Sequence, residues 1–187
     1  LGQLSETLTE ALEVSRAMTT ELSPPIFYEK GLSDGLEWLS HQMHKKHGLM
    51  VAIETTGNVE PEAEQIRMFL FEAVRELLLN IVKHAKVDHA RVRVRALGSE
   101  ELEITVADGG IGFDPTRLEE GGGFGLFNIR EKLRFLHGHM EIESVPEGGS
   151  RFTLVVPCPK EGGRGDADRR KLTGPRNGGI PPCRSGS

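Results

Sequence analysis

The sequence predicts a two-layer α/β (α+β) sandwich, in which a mixed, mostly antiparallel sheet carries helices on one face. Three observations carry this expectation. From residue 49 onward the pattern reads strand, helix, strand, strand, loop, helix, strand, strand. Two strand pairs are joined by short Gly-bearing turns, which mark hairpins and hence antiparallel pairing. The helices are apolar along one stripe only, so they cover a sheet from one side instead of being buried all round.

Each element has its own justification. Leu4, Leu8, Ala11, Leu12, Ser15, Met18 and Leu22 step by three and four, which makes one helical face. Pro24 and Pro25 stop it, because proline disfavours the α region for the residue before it. A second helix follows Gly31, with Leu32, Leu36, Leu39 and Met43 on one side, and ends near Gly48. Leu49 to Thr55 reads as a strand and Gly57-Asn58 as a turn. Pro61 is expected to open a long helix, since proline is tolerated in a first turn. Its apolar face runs Ile66, Phe69, Leu70, Ala73, Val74, Leu77, Leu78, Ile81. Ala90 to Ala96 alternates, with Val92 and Val94 inward and Arg91, Arg93 and Arg95 outward on a solvated face. Glu101 to Ala107 alternates again, and Gly98-Ser99 joins the two as a hairpin. A helix from about Phe124 to Leu136 ends at Gly138. Strands near His139–Ser144 and Arg151–Val156 then flank the turn Pro146-Glu147-Gly148-Gly149.

Composition excludes several classes. The chain has 187 residues, a formal charge of -5, 37% hydrophobic and 27% charged residues, which fits a soluble globular protein. An acidic balance is the wrong sign for a general nucleic-acid binder. No apolar run approaches the roughly 20 residues that span a bilayer, and no basic start precedes an apolar stretch as in a signal peptide. This fragment is expected to be cytoplasmic and to make no membrane contact. Two cysteines, Cys158 and Cys183, without a CxxC pair, argue against structural zinc and fit reduced thiols. Residues 157–187 hold five of the ten prolines, and seven Lys/Arg against three Asp/Glu. They read as a disordered tail or linker. The chain opens on Leu1 and is expected to be an excerpt of a longer protein.

Three islands carry chemistry. In Glu76-Leu77-Leu78-Leu79-Asn80-Ile81-Val82-Lys83-His84-Ala85, the polar residues Glu76, Asn80, Lys83 and His84 share one helical edge opposite the apolar stripe. Taken alone, that is a solvated face. Its donor types also suit a metal–phosphate complex: Asn80 offers an oxygen to Mg²⁺, Lys83 neutralises phosphate, and Glu76 orients a water or hydroxyl. Asp108-Gly109-Gly110-Ile111-Gly112 directly follows a strand. A carboxylate there can accept from an exocyclic amine such as that of adenine, and the glycines let backbone approach a ligand. Gly121-Gly122-Gly123-Phe124-Gly125-Leu126 runs into a helix, whose N-terminus favours an anion. No GxxxxGK[ST] occurs, and the spacing is not GxGxxG, so neither a P-loop nor a Rossmann site is present.

In this order the islands resemble the N, G1 and G2 boxes of the Bergerat-type (HATPase) ATP-binding fold shared by histidine kinases, DNA gyrase, MutL-type repair proteins and heat-shock chaperones. Glu76-Leu77-xx-Asn80 with Lys83-His84-Ala85 is similar to the histidine-kinase N box, Asp108-x-Gly110-x-Gly112 to G1, and Gly123-x-Gly125-Leu126 to G2. Gly149-Ser150-x-Phe152 resembles the closing Gly-Thr-x-Phe strand, with serine for threonine. The resemblance covers residues 22 to 156. Ten residues lie between Gly112 and Gly123, and no F box is visible. With Phe124-Gly125-Leu126-Phe127-Asn128-Ile129-Arg130-Glu131, this is similar to the short-lid sensor kinases of nitrate- and membrane-stress-sensing type. Residues 113–122 are too polar for core and suit a lid.

The resemblance implies three parts. Residues 1–24 would close a dimerisation and phosphotransfer helix, 25–156 would be the ATP-binding catalytic domain, and 157–187 the tail. It implies ATP and Mg²⁺ as cofactors and Glu76 as the catalytic residue. The nucleotide would be held by Asn80 (also the metal ligand), Lys83, His84, Asp108, Gly110, Gly112, Gly123, Gly125, Leu126 and Ser150. The γ-phosphoryl would go to a histidine of the full-length kinase, a homodimer, and then to a response regulator. One part of the family pattern is missing. The seven histidines are followed by Gln42, Lys45, Gly48, Ala85, Ala90, Gly138 and Met140, so no His-Asp or His-Glu acceptor pair exists. An anti-sigma-factor-type serine kinase and a non-catalytic ATP-dependent binding module are the alternatives; the helices before residue 48 weigh against the first.

Overall fold

The computed structural model describes residues 31–57, 60–116 and 124–158. The expected first helix and most of the tail lie outside them. Helix α1 spans Leu32–His47, strand β1 Met50–Thr56, helix α2 Glu64–Asn80, continued by a π-helical turn at Ile81–Ala85. Then come β2 (His89–Leu97), β3 (Glu101–Asp108), α3 (Phe124–Phe135), β4 (His139–Ser144) and β5 (Ser150–Pro157).

The five strands form one sheet in the order β1-β2-β3-β5-β4. β1 pairs parallel with β2, Met50 opposite His89, and the other three pairings are antiparallel. The parallel pair follows from the long connection: α2 carries the chain back across the sheet, which a tight turn cannot do. The sheet is mixed and mostly antiparallel, with its helices in a single second layer. α1 packs on β1 and α2, α2 lies against β3, and α3 covers β4 and β5.

Period-two alternation decides which face is covered. Val92, Val94, Leu102, Ile104, Val106, Phe152, Leu154 and Val156 are buried under the helices. The α2 stripe answers them: Leu70, Val74, Leu77 and Leu78 are fully buried, each worth about 1.5–3 kcal/mol relative to exposure. On the open face, Arg91 and Arg93 pair with Glu54 at 3.3 and 2.9 Å, and Arg95 with Glu103 at 2.8 Å. These are the solvated arginines the alternation predicts. Trp38 is half-buried against Phe71, ring centroids 6.4 Å apart, in a packing role.

Two boundaries differ from expectation. α2 starts at Glu64, not at Pro61, because Ala63 is extended (φ -75, ψ 116) and its carbonyl accepts the first helical amides, from Ile66 and Arg67. Pro61 instead gives its carbonyl to the Arg67 guanidinium at 3.1 Å. The neighbouring Glu60 carboxylate accepts the Leu32 amide at 2.9 Å and so caps α1. The second difference is at the other end of α2, where the last turn widens to π geometry. Cys158, just past β5, is a free thiol, and burial pushes it up to about 11.

Candidate nucleotide site

The site lies at the C-terminal end of α2. Glu76 and Asn80 are one turn apart on its half-buried edge, while Leu77, Leu78 and Ile81 face the core. The π turn then brings Lys83 and His84, both exposed, onto the same cavity. Among the described residues, none of these four polar side chains is engaged in a hydrogen bond or ion pair. π turns are uncommon and concentrate where a helix serves a function. This one ends at Lys86, which adopts the left-handed conformation, φ 58 and ψ 39. Its last carbonyl, that of Ala85, accepts the Ile111 amide at 3.0 Å. That bond ties the helix to the turn after β3.

Asp108 is the last residue of β3. Its Oδ1 accepts the Gly110 amide at 2.8 Å, which fixes the carboxylate and leaves Oδ2 for a ligand. Gly110 is packed against the Ala85 backbone, with no room for a side chain. Gly112 has φ +57, and a Cβ there would overlap the Val145 carbonyl. Only glycine meets both conditions. The Ile111 carbonyl accepts the Glu147 amide at 2.7 Å, so the turn is held from the β4–β5 side as well. Ser150, opposite Asp108 in the sheet, is buried.

These parts enclose a cavity of about 920 Å³. Glu76, Asn80, Lys83, His84, Asp108, Gly112, Gly125, Leu126 and Ser150 line it. Gly110 does not line it but packs against Ala85, which does, and Gly123 lies outside the described residues. Gly125, in the first turn of α3, sits against the Glu76 carboxylate, so the N-terminus of α3 faces the polar edge of α2. The cavity is therefore two-sided. One part has a carboxylate, an amide, a lysine and a helix N-terminus. Another has Asp108 beside apolar surface from Ile81, Ile111, Phe113 and Phe152. A volume near the upper end of the usual 300–1,000 Å³ range, apolar with a few directed polar groups, suits a nucleotide-sized ligand.

Phe113 is what sequence reasoning missed. Residues 113–122 read as uniformly too polar for core, yet the Phe113 ring stacks on Phe152 at 6.1 Å and 27°. A lone aromatic at the start of a polar loop was the available signal. No group of three or more His, Cys, Asp or Glu side chains is placed to hold a metal among the described residues.

A family-wide sequence profile described as histidine kinase-, DNA gyrase B- and HSP90-like ATPase matches residues 65–160, more than half of the chain. The chain belongs to this ATPase family. Its α2 edge, Asp108 turn and α3 start all fall inside the match. The sequence is similar to an uncharacterized sensor-like histidine kinase of Chloroflexus aurantiacus, 32% identical over 84% of this chain and 27% of that protein. It is also similar to the oxygen sensor histidine kinase NreB of Staphylococcus carnosus, 27% identical over 80% of this chain and 43% of that protein. The chain thus spans less than half the length of these curated relatives. Among solved structures, a blue-light-activated histidine kinase of Erythrobacter litoralis superposes with a TM-score of 0.62, covering 84% of this chain and 62% of that one. At 17% identity that likeness speaks for the fold alone. Family membership makes this an ATP-binding domain, and the relatives named above are histidine kinases. No helix among the described residues is long and apolar enough to cross a membrane.

Proposed function

We propose that the cavity binds Mg·ATP and presents the γ-phosphoryl group to a histidine on another segment of a sensor kinase. The observation that carries this reading is convergence. Glu76, Asn80, Lys83 and His84 from α2 and its π turn share one cavity with Asp108, which is 24 residues further on from His84.

Asp108 accepts the adenine amine through Oδ2, its other oxygen being fixed by Gly110. Lys83, His84 and the backbone of Phe124 and Gly125 at the start of α3 hold the triphosphate. Charge neutralisation by Lys83 and the helix N-terminus supplies most of what phosphoryl transfer needs from a protein. The residues fit Mg²⁺, a hard cation that takes oxygen ligands: Asn80 offers a neutral oxygen one turn from the Glu76 carboxylate, on the same cavity. When bound, that ion would supply charge neutralisation at the phosphates. Asn80 would hold it, and Glu76 orients the attacking nucleophile.

The wider setting supported by the relatives' names is two-component signalling. The acceptor histidine lies on a dimerisation helix, the full-length kinase is a homodimer, a response regulator receives the phosphoryl group, and the domain faces the cytoplasm. Titration calorimetry of the 187-residue chain with ATP, with and without Mg²⁺, tests the core of this reading. A dissociation constant between micromolar and millimolar, about -8 to -4 kcal/mol, is expected. Absence of binding would overturn it.

A further inference from the structure

On β4 the inward-facing row runs Met140, Ile142, Ser144. The first two are apolar and pack on the core, but the third is a hydroxyl. A hydroxyl has one proton and two lone pairs, and at Ser144 all three are used. Its Oγ donates to the Gly149 carbonyl at 2.9 Å and accepts the Phe113 amide at 2.9 Å. The Ser150 hydroxyl, 3.1 Å away, fills the remaining lone pair. One atom thus joins the end of β4, the start of β5 and the chain leaving the Asp108–Gly112 turn.

The third of these links bears on the ligand. Phe113 directly follows the Asp108–Gly112 turn, and its ring stacks on Phe152 with both rings lining the cavity that contains Asp108. A flat apolar wall beside a carboxylate that accepts an amine is the surface a purine base needs. The placement of that ring depends on the Phe113 backbone, which Ser144 holds.

Resting on the nucleotide-binding reading above, we propose that Ser144 is a positioning residue for the base. It acts through Phe113 and does not touch the triphosphate half of the cavity. Removing the hydroxyl leaves the Phe113 amide and the Gly149 carbonyl without their partner, and the ring loses its fixed place.

The test is titration of the 187-residue chain and its variants with adenosine, ATP and inorganic triphosphate in Mg²⁺, each variant being checked for a cooperative melt. Ser144→Ala should weaken adenosine and ATP by the same factor, about tenfold, and leave triphosphate unchanged. Ser144→Thr, which keeps the hydroxyl, should stay within about threefold of the parent. On a Phe113→Leu background, Ser144→Ala should add no further loss, as expected when two residues act as one unit. Unchanged adenosine binding by Ser144→Ala, an equal loss of triphosphate, or additive losses would each overturn the proposal while leaving the ATP reading intact. A parent that binds neither adenosine nor ATP would instead sink that reading. Should Ser144→Ala not fold, Phe113→Leu alone decides: adenosine binding equal to the parent's overturns the proposal.

Discussion

Gly125 lies directly against the Glu76 carboxylate, and a methyl group added at Gly125 would overlap Glu76 Oε1. The two residues come from α3 and α2, 49 positions apart in the chain. A side chain at Gly125 would have to displace that carboxylate.

Gly125→Ala should therefore separate binding from chemistry. The group that must yield is the end of a flexible glutamate, not backbone, and alanine favours a helix over glycine by about 1 kcal/mol. The melting temperature should not fall. Displacing Glu76 from its nucleophile should lower phosphoryl transfer, to a histidine-bearing substrate supplied in trans, by about 100-fold. ATP affinity should stay within about threefold. Equal losses in affinity and rate would mean that the glycine serves the phosphates instead.

Asp108→Asn tests the base contact. The asparagine oxygen can still accept the Gly110 amide, so the turn should survive. The second oxygen becomes an amide donor facing the donor amine of adenine. Loss of a hydrogen bond to a charged group costs about 1.5–3 kcal/mol, so ATP affinity should drop by about 10- to 150-fold. Guanine presents a carbonyl at that position, so GTP should lose less or gain. Calorimetry with both nucleotides checks this; identical behaviour of variant and parent would remove Asp108 as the adenine reader.

The parts of this arrangement legible in the sequence are those with a period. Alternation along Val92–Val94 and Leu102–Val106 gave the buried face, and the three- and four-residue steps from Phe69 to Ile81 gave the α2 stripe and, by elimination, its polar edge. The π turn was not legible. Nothing in Ile81-Val82-Lys83-His84-Ala85 interrupts the helical pattern, and the widened turn coincides with a tertiary bond, from the Ile111 amide to the Ala85 carbonyl. Phe113 was hidden for a related reason: its partners, Ser144 and Phe152, lie more than 30 residues away. The start of α2 was misplaced because proline's tolerance at a first helical turn does not oblige a helix to begin there.

Asn80→Ala should abolish the Mg²⁺ dependence of triphosphate binding and leave adenosine binding nearly intact. Asn80 sits on the polar edge with Glu76, away from the buried stripe, so the fold should tolerate the change. Titrations with adenosine and with ATP, each with and without Mg²⁺, give the comparison. A parallel loss of both ligands would point to damage in the helix and not to a missing metal ligand.

Lys86→Gly should stabilise the protein. Lys86 is exposed and held at φ 58, ψ 39. For a residue with a Cβ, that conformation costs about 1–2 kcal/mol. Glycine avoids the cost but adds about 0.4–1 kcal/mol of unfolded-chain entropy. The net gain, about 0.5–1 kcal/mol, should raise the melting temperature by about 1–4 °C. A lower melting temperature would show that the Lys86 side chain makes a contribution larger than the backbone strain.

The 187-residue chain by itself should not acquire phosphohistidine. Transfer needs a nucleophile nearly in line with the γ-phosphate and a neighbouring group to take its proton. In this sequence none of the seven histidines is followed by Asp or Glu. The histidine nearest the site, His84, follows Lys83 on the π turn and lines the same cavity, where it would flank the phosphates and not stand opposite the leaving group. Incubation with γ-labelled ATP should leave no acid-labile, base-stable label on the chain. Supplying a longer chain that carries a His-Asp or His-Glu helix should produce label on that longer chain alone. Strong acid-labile label mapped to any histidine of the isolated 187 residues would show that the cavity has its own acceptor, and would remove the case for a catalytic domain acting on another segment.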